Sequence, residues 1–152
     1  MGDTNDTAAW AALLRVHAAL VPRMDKELQV KCGLPLTWYD VLLELNAAPG
    51  RRLSMGELGD VAVVSRTRAS RVVDQLVAAG LVTRESNPDD KRSAYALITD
   101  AGRKRLRAAA PIYLGAIEQY FTSRMSPDEA ATVARALEKV LAGDGAAGVH
   151  VD

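Results

Sequence analysis

The chain is poor in the residues that carry most metal, redox and nucleophilic chemistry. It has one cysteine, Cys32, and two histidines, His17 and His150, in 152 residues. A single cysteine excludes an internal disulfide, and so few soft or imidazole ligands provide no zinc set. There is no glycine-rich phosphate loop, and no serine or cysteine with an identifiable base, so neither an enzyme nor a cofactor is expected. No apolar run approaches the ~20 residues that span a bilayer. The first ten residues, MGDTNDTAAW, are acidic and polar, unlike a secretory signal. A membrane partner is not expected, and a cytoplasmic location is. Aromatic residues are also scarce, at 5%, so each one is conspicuous.

Net charge is lacking too: Lys plus Arg and Asp plus Glu are both 19. Taken alone, that balance opposes a polyanionic partner. Its distribution says otherwise. Between Ser65 and Arg107 ten bases face five acids, a net +5, and the remainder carries −5. A basic lobe balanced by an acidic one fits a nucleic-acid reader with a separate assembly region.

The stretch Ser65–Thr99 is where that basic charge begins. SRTRASRVVDQLVAAGL reads as a helix whose Ala69, Val72, Val73, Leu76 and Val77 share one side at 100° per residue. Thr67, Arg68, Arg71 and Gln75 point the other way. These types suit base edges: Arg forks onto guanine, Gln pairs with adenine, and the Thr methyl meets thymine. Ser65 stands where an N-cap is wanted, while Arg66 falls on the packing side by angle and reaches phosphate rather than bases. Two β-type runs follow, Leu81–Glu85 and Ala94–Ile98, around a charged tip of Pro88, Asp89, Asp90, Lys91 and Arg92. Helix plus basic-tipped hairpin is the layout of a winged helix, mainly α with a small β wing.

The flanking sequence supplies the rest. Residues 1–6 read as a loose tail and Thr7–Lys31 as a helix bent at Pro22. Its stripe Trp10, Leu14, His17, Val21, Met24 and Leu28 is longer than a small core needs, so part of it is expected to face another subunit. Gly33 and Pro35 end that helix, and Thr37 is placed to cap WYDVLLELNAA. RRL at 51–53 can pair beside the wing. Ser54-Met55-Gly56-Glu57 is a capping box that opens a short helix with Leu58 and Val61 inward. Thr99 caps a helix running to about Arg124 with a bend at Pro111. Ser126-Pro127-Asp128-Glu129 starts a last helix that stops near Gly143, with Val133, Leu137, Val140 and Leu141 on one face.

Four strings resemble the MarR family (multiple antibiotic resistance regulators): LTWYDVLLEL at 36–45, LSMGELGD at 53–60, SRTRASRVVDQLVAAGLVTR at 65–84 and PDDKRSAYALITDAG at 88–102. The resemblance covers about residues 7–142. It implies a single MarR-like domain over 1–152 acting as an obligate homodimer. Helices within 7–34 and 99–142 would dimerise, and 35–98 would form the winged helix-turn-helix lobe. It further implies a regulator of transcription, more often a repressor, that binds double-stranded DNA, and an aspartate that aims an arginine into the minor groove, here Asp90 and Arg92. Phosphate contacts are then expected from Arg66, Arg84 and Lys91, and base selection from Thr67, Arg68 and Arg71. Members of the family often hold small aromatic or phenolic effectors between dimer helices and winged lobe. The corresponding candidates are Trp10, His17, Trp38, Tyr39 and Tyr113, with Arg15 for a carboxylate; alone, each aromatic or His reads more readily as core. Two alternatives stand beside this reading: a thiol-based redox sensor using Cys32 beside Lys31, and a winged-helix protein-interaction module without DNA binding.

Overall fold

Residues 4–62, 66–90 and 93–147 are described by a computed structural model. Among them the chain forms six α-helices and three strands: α1 Thr4–Cys32, α2 Leu36–Ala47, β1 Arg52–Ser54, α3 Met55–Val61, α4 Arg66–Ala78, β2 Val82–Glu85, β3 Tyr95–Ile98, α5 Asp100–Tyr120 and α6 Pro127–Ala147. The strands make one antiparallel sheet in the order β1-β3-β2, with Ala96 of β3 facing Leu53 on one side and Arg84 on the other. The architecture is mainly helical with a small β wing, as the patterning predicts, and the loosely expected third strand forms one residue later than RRL.

Several local expectations need correction. Helix α1 starts at Thr4, so residues 4–6 are its first turn rather than tail; it runs through Pro22 as one element, as expected. Thr37 is not the cap of α2. The N-cap position is Pro35, which has no side chain to offer, and the Leu36 N–H donates instead to Asp25 Oδ1 of α1 at 2.8 Å. Val61, expected inward, is 48% exposed because α3 ends there. Val77 is 37% exposed; it lies about 80° around α4 from Ala69, at the edge of the buried stripe. Helix α5 ends at Tyr120, where Phe121 leaves helical geometry and a 3-10 turn covers Thr122–Arg124. Helix α6 passes Gly143 and Gly145 and reaches Ala147, since each Gly weakens a helix by about 1 kcal/mol without stopping it. The expected Ser65 cap lies outside the described residues.

Both expected capping boxes are formed. Ser54 Oγ accepts the Glu57 N–H while Glu57 Oε2 accepts the Ser54 N–H, and Ser126 with Glu129 does the same at α6. Each satisfies two N–H groups that a helix start leaves orphaned. Thr99 caps α5 through its Oγ1, which accepts the Gly102 N–H at 3.0 Å.

The connection from α4 into the wing depends on Gly80, whose φ is +77°. Its N–H donates to Val77 O, and the Leu81 N–H reaches back to Leu76 O. This pair of bonds is a Schellman ending, which a Cβ at Gly80 would strain. Leu76 and Leu81 both lie in the core. That core joins Leu28 of α1, Leu42 and Leu45 of α2, Leu58 of α3, Val73 of α4, Val82 and Ile98 of the sheet and Leu106 of α5. Each such side chain contributes about 1.5–3 kcal/mol by burial, so α4 and the sheet are held in fixed relation.

By packing, the chain falls into two units, residues 1–114 and 115–152, divided within α5.

Candidate nucleic-acid interface

Helix α4 presents its polar side to solvent. Thr67, Arg68, Arg71 and Gln75 are all exposed, while Ala69, Val72, Val73 and Leu76 are at most 4% exposed. With Thr37 and Val72, the four polar residues line a hollow of about 480 Å³. Four candidates chosen by helical angle are therefore brought together. Ser65, Lys91 and Arg92 lie outside the described residues, as does the Arg66 side chain, so the Asp90–Arg92 pair does too. Asp90 stands at the wing tip, where its carbonyl accepts the Ser93 N–H at 3.1 Å and Asn87 Oδ1 accepts the Asp89 N–H at 3.0 Å.

Two contacts at this surface join residues far apart in sequence. The Trp38 indole N–H of α2 donates to Gln75 Oε1 at 2.9 Å. Arg84, expected at phosphate, forms an ion pair with Asp74 of α4, which ties α4 to β2. At the base of the wing Arg52 lies 4.5 Å above the Tyr95 ring and 3.8 Å from Glu85 Oε2.

The effector candidates are not gathered in one place. Trp10 is 62% exposed, and Arg15 and His17 are also exposed. Tyr39 is core, its ring 4.8 Å from that of Tyr113 and tilted by 60°. Burial pushes the Tyr39 hydroxyl above its usual range, with Tyr113 adding to the effect. Burial and then Asp40 do the same at Tyr113, so both remain neutral phenols at neutral pH. Burial, followed by Asp40 one turn away, likewise raises the Glu44 carboxyl. A second cleft of about 480 Å³ opens between α1 and the start of α2, lined by apolar Val21, Pro22, Pro35 and Leu36 and by polar His17, Asp25, Gln29, Thr37, Asp40 and Arg68. Of the six candidates His17 alone lines it among the described residues. Cys32 donates its thiol to Leu28 O at 3.1 Å, and the neighbouring Lys31 is held by Glu27 at 3.0 Å. Neither contact favours a thiol switch. Among the described residues no metal-binding cluster is found, and no helix is long and apolar enough to cross a membrane.

A model of the MarR family matches residues 33–93, from the end of α1 to the wing. The uncharacterized HTH-type transcriptional regulator YkoM of Bacillus subtilis is 37% identical over 73 residues, 48% of this chain and 47% of its own. The transcriptional repressor MprA of Escherichia coli K12 is 24% identical over 110 residues, 72% and 62% of the two chains. The chain thus spans from about half to under two thirds of these curated relatives. Coverage is fuller against the solved structure of Sco3205, a MarR family transcriptional regulator from Streptomyces coelicolor in complex with DNA. The TM-score there is 0.88 at 30% identity, over 100% of this chain and 96% of that one. The helix order, the wing and the polar face of α4 now have a common explanation: the chain belongs to the MarR family of transcriptional regulators.

Proposed function

We propose that this protein is a homodimeric, sequence-specific DNA-binding repressor in which 35–98 is the reading lobe and helices within 7–34 and 99–142 hold two copies together. The observation that carries this reading is the clustering of Thr67, Arg68, Arg71 and Gln75 on the exposed side of α4. These side chains match the donor and acceptor pattern of the major groove, and Sco3205, which shares the fold, was solved with DNA. The description of MprA as a repressor supports the sign of regulation. A dimer with two-fold symmetry places its reading helices about 34–36 Å apart, so the operator is a palindrome with half-sites about one turn apart. A cytoplasmic location follows from that role.

Selection from a random duplex pool tests the reading, and equal recovery of all sequences would overturn it. Arg71→Ala is expected to relax the preference at one base pair per half-site, at a cost of about 1–3 kcal/mol. Lys91→Ala is expected to weaken all duplexes alike and to lower the salt slope by about one.

A small aromatic or phenolic effector is a second reading, favoured by a cleft in which apolar Val21, Pro22, Pro35 and Leu36 stand beside His17, Arg68, Asp25 and Asp40. A phenolic or heteroaromatic acid that raises the thermal midpoint is expected to release operator DNA as well. Stabilisation without release would defeat the sensing role.

A further inference from the structure

We infer that Trp38 is a positioning residue for base selection: its indole N–H, donated to Gln75, sets which end of the Gln75 amide faces the DNA. The inference rests on α4 entering the major groove, as proposed above. A glutamine amide has an acceptor at one end and two donors at the other, and an untethered one turns to suit whatever base edge it meets. The indole nitrogen is a donor only. At 2.9 Å it requires the carbonyl oxygen of Gln75, which leaves the NH₂ end directed away from α2.

The tether is stiff. Trp38 is half-buried and packs against the core of the lobe. Its backbone N–H is fixed on Pro35 O at 3.0 Å, and α2 is held to α4 through Leu42, Leu45, Val73 and Leu76. Gln75 in turn lines the same hollow as Thr67, Arg68 and Arg71. An outward NH₂ needs an acceptor on the base it meets. Guanine offers O6 and N7, thymine O4 and adenine N7, whereas cytosine offers only its N4 donor. Gln75 therefore excludes cytosine at one position of each half-site, and Trp38 enforces the exclusion without touching DNA.

Trp38→Phe keeps a six-membered aromatic ring and removes the five-membered ring that carries the N–H. In selection from a random duplex pool, wild type is expected to deplete cytosine about fivefold at one position, the worth of one hydrogen bond. Trp38→Phe is expected to lose that depletion, to keep the preference set by Arg71, and to stay folded with a modestly lower thermal midpoint, because the smaller ring gives up part of its packing. Gln75→Ala should lose it equally, and the double variant should lose no more than Gln75→Ala, since Trp38 acts through Gln75. Gln75→Glu, an exposed substitution, still accepts from the indole but turns oxygen to the base, so cytosine becomes favoured there. Wild-type discrimination in Trp38→Phe, loss of preference spread over every position, or persistent cytosine exclusion in Gln75→Glu would each overturn the inference. A wild type that enriches no sequence would sink the DNA reading itself, whereas enrichment with an indifferent Trp38→Phe would sink this inference alone.

Discussion

Leu141→Glu is expected to give a folded monomer whose operator affinity falls by about a thousandfold or more, to the level of random duplex. Helix α6 leaves Val133, Leu137, Val140 and Leu141 exposed in the single chain, the last at 69%. Side chains repeating at three- and four-residue spacing on one helical face make an apolar stripe, which in a soluble protein marks a contact surface. If that surface is buried in the proposed dimer, a carboxylate at its C-terminal end has no partner and must be desolvated. The winged lobe should be indifferent, because its core draws on residues from Leu28 to Ala109 and none from α6. A single lobe keeps its phosphate contacts but loses the second half-site. Specific binding typically exceeds non-specific binding by about 10³–10⁷, so the paired arrangement accounts for much of the operator affinity. Sedimentation velocity and operator titration check both parts. An unchanged dimer with unchanged affinity would show that α6 plays no part in assembly.

Gly102→Ala is expected to lower the thermal midpoint by about 10 °C, although Ala is the better helix former. The reason is the joint between the end of α4 and the start of α5. Thr99 Oγ1 donates to Gly80 O at 2.9 Å, and the Thr99 N–H donates to Leu81 O at 3.0 Å. Gly102 sits one turn later against the same carbonyl. A Cβ there would overlap Leu81 O and come within 2.8 Å of Ile98 Cγ1. Backbone cannot rotate aside as a flexible side chain does, so the Leu81 carbonyl must shift and strain the Val82–Ile98 pairing beside it. Overpacking of this kind costs about 1–3 kcal/mol or more. Gly143→Ala provides the contrast, because an added Cβ there meets nothing within 4 Å, and stabilisation of up to about 1 kcal/mol is expected. Melting of both variants separates the effects. If Gly102→Ala melted as wild type, the joint would not be the rigid contact described.

Local patterns in the sequence were reliable where the physics is local. The buried positions of α4 follow from its 3.6-residue period, and both capping boxes follow from a Ser and a Glu three residues apart. The ending of α4 was also legible in Ala79-Gly80-Leu81, a signal the sequence reading passed over. Thr37 misled for a tertiary reason: the acceptor that satisfies Leu36 comes from Asp25, eleven residues earlier on another helix. The exposure of Val61 and Val77 was missed because angle alone does not say where a helix ends or how wide its covered stripe is.

Composition and periodicity by themselves determined that this chain is mainly helical, with a wing and a basic reading helix, because those properties depend on residues within a turn or two of each other. Only the tertiary structure decided what that helix can offer a base. The partner of Gln75 is Trp38, 37 residues away, and the partner of Arg84 is Asp74 across a turn. Such pairings arise when a packed core brings separate elements to hydrogen-bonding distance, and no spacing along the chain encodes that distance.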